Sequence, residues 1–223
     1  RTDDSYGWYV YHRGLDSSNP ERYYLRLNET DASQNTTGQQ WMAAAPTSTN
    51  FTLAADIGGS GYEGLNTNGQ TYVAYVFGHN SGGNGEFGPD INADVIQCGS
   101  YSGDGQSDRL VNCGFEPQFV LIKRTNAASD WVLDDTMKGM GSFNKDYAGI
   151  YYPNESQSMH DENGPMYTDP LGFRFNDDYA NWGEANNSSG HYIYIAIAAR
   201  TGKTAVVPTT GNDALAMNYG VSS

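Results

Sequence analysis

Short apolar runs, many of them alternating with polar residues, dominate the chain and predict β-strands. The clearest runs cover residues 72–77, 119–123 and 192–198, which are rich in β-branched and aromatic residues and follow turn-forming segments. Residues 51–53 and 173–175 alternate apolar and polar side chains, as half-exposed strands do. No segment has a convincing helical pattern, so we predict an all-β protein.

Two stretches of the chain resemble one another. Trp131 follows Trp8 by 123 residues, Phe173 follows Phe51 by 122, and Tyr194 follows Tyr72 by 122. A period of this length is that of a small domain rather than of a solenoid unit. We therefore predict two tandem, related β-sandwich domains of jelly-roll-like type, in which Trp8 and Trp131 share a core position.

The repeat and the local composition set the expected boundaries. The first domain spans residues 1–78 and is expected to be incomplete at its N-terminal side, because it has no counterpart of residues 99–123. A Gly- and Asn-rich linker covers 79–93, and the complete second domain covers 94–199. Residues 200–223 show no periodicity and are predicted to form an extended connector.

The charge balance limits the classes of partner. The 223 residues include 26 Asp and Glu against 12 Lys and Arg, for a formal net charge of −14. Such a surface repels phosphate backbones, so we predict that nucleic acid is not a partner. No run approaches the roughly 20 apolar residues of a membrane span, so membrane insertion is not predicted.

The two cysteines, Cys98 and Cys113, flank a turn-like segment at residues 102–108. In a hairpin centred there the two thiols would lie opposite one another, which permits a disulfide. A protein assembled in a cytosol would keep them reduced. Both alternatives remain open at the level of the sequence.

Motifs for catalysis and for metal binding are absent from the sequence. The chain has no H-E-x-x-H, G-x-S-x-G, phosphate-binding loop or paired C-x-x-C, so we predict no enzyme and no catalytic or cofactor-binding residue. Acidic pairs occur at residues 134–135, 161–162 and 177–178, but none has the spacing of a calcium loop. We interpret them as solvated loop acids and predict no metal site.

Trp182 is the candidate contact residue, together with the nearby Tyr179. Both lie in a polar segment, where a tryptophan has little apolar company in the sequence. An exposed ring beside acids and amides could stack on a sugar or pack against another subunit. The alternative is that Trp182 closes one edge of its domain.

The second stretch carries a distinctive order of motifs. It reads GSYSGDG at 99–105, GFEPQFVLIKR at 114–124 and W…DT at 131–136, and closes with YIAIA at 194–198. This order resembles a domain frequent in structural proteins of marine bacteriophages. The resemblance covers residues 94–199 well and 1–78 in part, and it implies β-sandwich modules in tail fibres or other appendages at the virion surface.

The resemblance also implies a function without catalysis. The chain is expected to be a segment of a tail fibre or surface appendage that takes part in host attachment. Its expected partners are identical subunits, as a trimer, other virion proteins and host-surface glycan. The alternatives are a carbohydrate-binding or polysaccharide-degrading surface protein, which would be a hydrolase, and a cellular adhesin.

Overall fold

The described residues of the computed structural model are 7–36, 41–54, 65–79, 95–140, 149–160 and 164–199. Within them the chain forms β-strands and two single-turn 3₁₀ helices, at Pro20–Arg22 and Asp177–Tyr179, so the prediction of an all-β protein is confirmed. The strands are β1 (Tyr9–Val10), β2 (Tyr23–Arg26), β3 (Gln34–Asn35), β4 (Met42–Ala44), β5 (Thr52–Leu53), β6 (Ile96–Ser102), β7 (Leu110–Asn112), β8 (Pro117–Arg124), β9 (Trp131–Asp135), β10 (Met166–Asp169), β11 (Gly172–Phe175) and β12 (His191–Ala198).

Two antiparallel sheets enclose the main hydrophobic core as a sandwich. The four-stranded sheet has the order β6-β12-β8-β9, and the three-stranded sheet has the order β10-β11-β7. Val120 and Ile122 from the first sheet pack with Phe173 and Phe175 from the second, and all four side chains are fully buried. Alternation in each strand places the apolar residues on the facing surfaces.

The outer face of the four-stranded sheet is also covered. Leu25 of β2 packs against Trp131 and Ile193 in a second hydrophobic cluster. The indole N–H of Trp131 donates to the carbonyl of Arg26 at 2.9 Å. Residues 7–36 therefore dock onto this sheet, which explains why β8 is a continuous apolar run rather than an alternating one.

A buried lysine on β8 helps to hold this docked segment. Lys123 has no exposed surface, and its ammonium group donates to the carbonyl of Thr30 at 2.9 Å and to the carbonyl of Ser129. Burial lowers the pKa of Lys123 to about 8, although the carboxylates of Asp130 and Asp31 oppose the shift. A lysine that follows an apolar run thus becomes an internal contact between distant parts of the chain.

The repeat is visible in the hydrogen bonds of the two stretches. The backbone N–H of Trp8 donates to Asn28 Oδ1 at 2.9 Å, and that of Trp131 donates to Asn154 Oδ1 at 2.7 Å. Three backbone pairings also recur at corresponding positions: Val10–Leu25 with Leu133–Tyr151, Tyr24–Gln34 with Ile150–His160, and Met42–Leu53 with Met166–Phe175.

The turn that closes each stretch recurs as well. The backbone N–H of Thr67 donates to Tyr72 Oη at 2.8 Å, and that of Asn187 donates to Tyr192 Oη at 2.9 Å. Tyr72 therefore corresponds to Tyr192, whereas the sequence comparison had matched it to Tyr194. The difference is two residues, which is one full period of a strand and leaves the inward and outward faces unchanged.

Some matched residues nevertheless lie in different surroundings. Trp8 is 49% exposed whereas Trp131 is 3% exposed, so the prediction of a shared core position is wrong. Residues 72–77, expected to form a strand, carry no strand assignment, although their counterpart β12 is the best-paired strand of the protein. The reason is that β12 lies between β6 and β8, and no strand in the described ranges flanks residues 72–77.

The predicted domain boundaries stay a prediction. Most of the expected linker, residues 80–93, and the whole expected connector, residues 200–223, lie outside the described residues. Residues 7–36 and the four-stranded sheet share a hydrophobic cluster, so the two predicted domains are in contact.

The expected hairpin between the two cysteines does not form. Cys98 lies on β6, which pairs with β12, and Cys113 follows β7, which pairs with β11 in the other sheet. Both thiols are buried and unbonded, so the disulfide that the hairpin would have permitted is absent. Burial raises the pKa of each thiol to about 11.

Candidate functional site

A buried carboxylic acid on β9 is the most perturbed acid in the described residues. Asp134 has no exposed surface, and it lies opposite Val120 of β8 in the sheet. Its Oδ1 accepts the backbone N–H of Asp135 at 2.8 Å, while Oδ2 has no hydrogen-bond partner. Burial raises the pKa of Asp134 to about 7. The interpretation of this residue as a solvated loop acid is therefore wrong, because β9 extends through it.

A buried histidine ties the docked segment to β12. His12 Nδ1 accepts the backbone N–H of Gly14 at 2.9 Å, which leaves the proton on Nε2 to face the carbonyl of Tyr194 at 3.3 Å. Burial lowers the pKa of His12 to about 4, despite the opposing effect of this carbonyl. The imidazole is therefore neutral at pH 7 and acts as a structural bridge.

The buried titratable groups of the described residues do not form a common site. Across the described ranges, no three or more His, Cys, Asp or Glu side chains are grouped so that they could hold a metal ion. The same ranges contain no helix with the length and hydropathy needed to cross a membrane.

The two predicted contact residues, Tyr179 and Trp182, are in contact with each other. The rings of Tyr179 and Trp182 lie edge to face, with centroids 5.5 Å apart. Both are half-buried, and Trp182 packs against the sandwich core, as expected for a residue that closes one edge. Asn186, four residues after Trp182, is fully buried, and its amide donates to Ala180 O at 2.6 Å and to Gln106 O at 2.9 Å. The pair is thus held on a firmly hydrogen-bonded loop.

Exposed apolar side chains cluster near the end of the first stretch. We call this cluster the apolar edge, and it comprises Trp8 (49% exposed), Val73 (46%), Tyr75 (72%), Val76 (73%) and Phe77 (46%). The rings of Trp8 and Tyr75 stack with their centroids 6.3 Å apart, so the two segments that carry them lie side by side. No charged residue occurs from Gln70 to Gly78. Large exposed apolar side chains that lie side by side, as Trp8 and Tyr75 do, mark interaction sites on proteins.

Within the described ranges, no backbone hydrogen bond joins residues 72–77 to any other segment. A row of unpaired N–H and C=O groups beside apolar side chains is a template for strand addition. The sequence predicted a strand at residues 72–77, and no strand is assigned there because pairing depends on neighbours that the segment itself does not encode.

The strands and the apolar edge define a β-sandwich protein in which residues 72–77 have no strand partner among the described residues. The chain belongs to the family described as a domain of unknown function (DUF7483), whose model matches residues 1–200 and so spans both copies of the repeat. Neither a curated protein nor a solved structure matches the chain.

Proposed function

We propose that this chain is a structural segment of a bacteriophage virion appendage, such as a tail fibre, that takes part in host attachment without catalysis. The motif order at residues 99–105 and 114–124 supports the virion assignment through its resemblance to phage structural domains. The observation that carries the structural role is the apolar edge, whose exposed apolar side chains suit contact with neighbouring molecules.

In this proposal the chain assembles with identical subunits, as a trimer, and with other virion proteins. Closed cyclic symmetry is the usual arrangement of homo-oligomers. Because the chain carries a net charge of −14, close contacts between copies would use Tyr, Trp and apolar side chains rather than acids. The half-exposed Tyr179–Trp182 pair offers a surface on which a host glycan could stack, and many weak contacts of this type add up in a multivalent fibre.

Two measurements test the proposal. Gold-labelled antibodies against the chain should decorate purified phage particles at the tail or at a surface appendage. Label confined to host material, with none on the particles, would contradict the virion assignment. Incubation with host-surface polysaccharide should yield no new reducing ends, and their appearance would favour a hydrolase instead.

Sedimentation of the intact chain at micromolar concentration tests the oligomeric state separately. A trimer is expected, and a stable monomer would defeat this part of the proposal. The virion assignment does not depend on that outcome.

A further inference from the structure

Strand β6 forms one edge of the four-stranded sheet along its whole length. It has seven residues, Ile96–Ser102, and among the strands of the described ranges it pairs only with β12. This pairing runs from one end of β6 to the other without a register shift, so the strand contains no β-bulge. An edge strand of this kind presents a row of N–H and C=O groups to a molecule that approaches from the side.

The hydrogen bonds at the two ends of β6 show which backbone groups point outward. The N–H of Gly103 donates to the carbonyl of Gly190 at 2.9 Å, and the N–H of Ala198 donates to the carbonyl of Val95 at 2.9 Å. Val95 and Gly103 thus face β12, and so does every second residue between them, because hydrogen-bonding groups alternate along an antiparallel strand. The backbone groups of the remaining residues point away from the sheet: Ile96, Cys98, Ser100 and Ser102. No backbone hydrogen bond reaches these outward groups in the part of the chain that the structure describes.

β6 also lacks the features that keep edge strands from pairing with other molecules, which are charged side chains, prolines, bulges and short length. No charged residue and no proline occurs from Val95 to Gly103, in a chain with 26 Asp and Glu. The other edges of the two sandwich sheets differ. β10 follows Pro165 and ends at Asp169, β7 has three residues, and β9 is bridged to Tyr151. Among these edges, β6 is therefore the one best suited to accept another strand.

The neutral character of β6 favours a second copy of this chain as the occupant. Two copies that each carry a net charge of −14 repel one another, so they approach most readily where neither surface presents acids. Asp104, the first acid after β6, is already paired with Arg109, and their charged groups lie 2.6 Å apart. Contact through β6 thus brings two acidic molecules together with little local repulsion.

We infer that β6 pairs antiparallel with β6 of a second copy across a two-fold axis. Gly99 is the midpoint of the strand, so a register that sets Gly99 opposite the partner's Gly99 pairs all seven residues. Cys98 then lies opposite the partner's Ser100, and Ile96 lies opposite the partner's Ser102. These are the residues whose backbone groups point outward. Four such residues in each of two copies give eight N–H···O bonds, because each residue donates once and accepts once.

The axis of this pair stands perpendicular to the sheet. The two four-stranded sheets become one sheet of eight strands, with the docked residues 7–36 of both copies on one face and both three-stranded sheets on the other. A two-fold contact is separate from the trimer of the proposed function and does not rest on it. It joins two monomers or two trimers, and in either case it doubles the mass.

Amide exchange followed residue by residue tests the pairing. One strand contact is small, so we expect self-association with a dissociation constant on the order of 10⁻⁴ M. The amides of Gln97, Gly99 and Tyr101 should be protected at every concentration, because they face β12. Those of Cys98 and Ser100 should exchange about fivefold more slowly at about 1 mM chain than at about 10 μM, from the populations that this constant gives.

Two results of the exchange measurement would overturn the inference. Outward amides that exchange equally fast at all concentrations would show that no strand pairs there. Outward amides that are protected at all concentrations would show that the chain covers this edge itself.

Substitutions at Ser100 separate pairing through β6 from any other association. Ser100→Pro removes an outward N–H and leaves the bonds to β12 intact, and Ser100→Lys places a charge on the edge. The matched control Ser17→Lys adds the same charge at another exposed serine. In sedimentation equilibrium the wild type and Ser17→Lys should double in mass over this concentration range, and both Ser100 variants should associate about tenfold more weakly or less.

Wild-type association of Ser100→Lys would contradict the contact. A wild type that never doubles in mass would contradict it as well. If Ser100→Pro lowers the melting temperature, Ser100→Lys decides the question.

Discussion

His12 and Asp134 are both buried, and their pKa values are shifted so that they affect stability in opposite directions over the same pH range. His12 is 6% exposed and Asp134 is 0% exposed, so solvent screens neither group strongly. We consider the substitutions His12→Gln and Asp134→Asn, which remove each titration while keeping a polar side chain of similar size. The double variant removes both.

The magnitudes follow from the pKa shifts. The pKa of His12 falls from 6.5 to about 4 on folding, so its contribution to stability is complete above pH 6.5 and is lost as the pH falls towards 4, by about 3 kcal/mol in all. The pKa of Asp134 rises from 3.8 to about 7, so its contribution is complete below pH 3.8 and is lost as the pH rises through 7, by about 4 kcal/mol. Between pH 4 and 6.5 the two slopes nearly cancel in the wild type.

Urea unfolding of the four proteins at several pH values between 7.5 and 4.5 checks this cancellation. Relative to the double variant, His12→Gln retains only the titration of Asp134, so its free energy of unfolding should rise by a few kcal/mol as the pH falls. Asp134→Asn retains only the titration of His12, so its free energy of unfolding relative to the double variant should fall by a similar amount as the pH falls. The difference in free energy of unfolding between the wild type and the double variant should not change with pH.

The use of differences removes the contribution of the other acids, which titrate in all four proteins. Single variants that follow the pH curve of the double variant to within about 0.5 kcal/mol would refute the reasoning, because that is the precision of such comparisons. If only one single variant shows the same pH dependence as the double variant, the titratable group which that single variant retains is more solvated than the structure indicates.

Three further predictions concern buried contacts. Trp131→Phe removes the indole N–H that donates to the Arg26 carbonyl and holds residues 7–36 on the four-stranded sheet, and it should cost about 1–2 kcal/mol in urea unfolding. The matched control Trp8→Phe should cost less than about 0.5 kcal/mol because Trp8 is exposed, and equal losses would contradict the docking contact. Lys123→Met removes the ammonium group that donates to two backbone carbonyls, and it should destabilise the protein by about 2–4 kcal/mol in the same assay. An unchanged urea midpoint would show that the ammonium group is dispensable. Cys98 and Cys113 should react slowly with a thiol reagent at pH 8 in the native protein, because both thiols are buried and their pKa values are raised. After denaturation the reagent should detect two thiols per chain, and detection of none would reveal a disulfide.

The sequence by itself determined the fold class and several strand positions. The apolar run at residues 119–123 and the run at 192–198 lie within β8 and β12, and the alternation at 173–175 lies within β11. Periodicity works here because the pleat of a strand fixes which side chains face a core, whatever the partner strand is. Some local contacts recur between the two similar stretches, since the backbone N–H of Trp8 and that of Trp131 each donate to an asparagine side chain.

Only the tertiary structure decided which strands pair and which groups are buried. The run at 72–77 has the same apolar character as β12, yet the described residues leave it unpaired, because a strand needs neighbours that its own sequence does not contain. Lys123 and Asp134 directly follow apolar runs and His12 precedes Arg13, and all three are buried where segments distant in the chain pack together. Burial and the resulting pKa shifts depend on segments far apart in the sequence, so local patterns could not predict them.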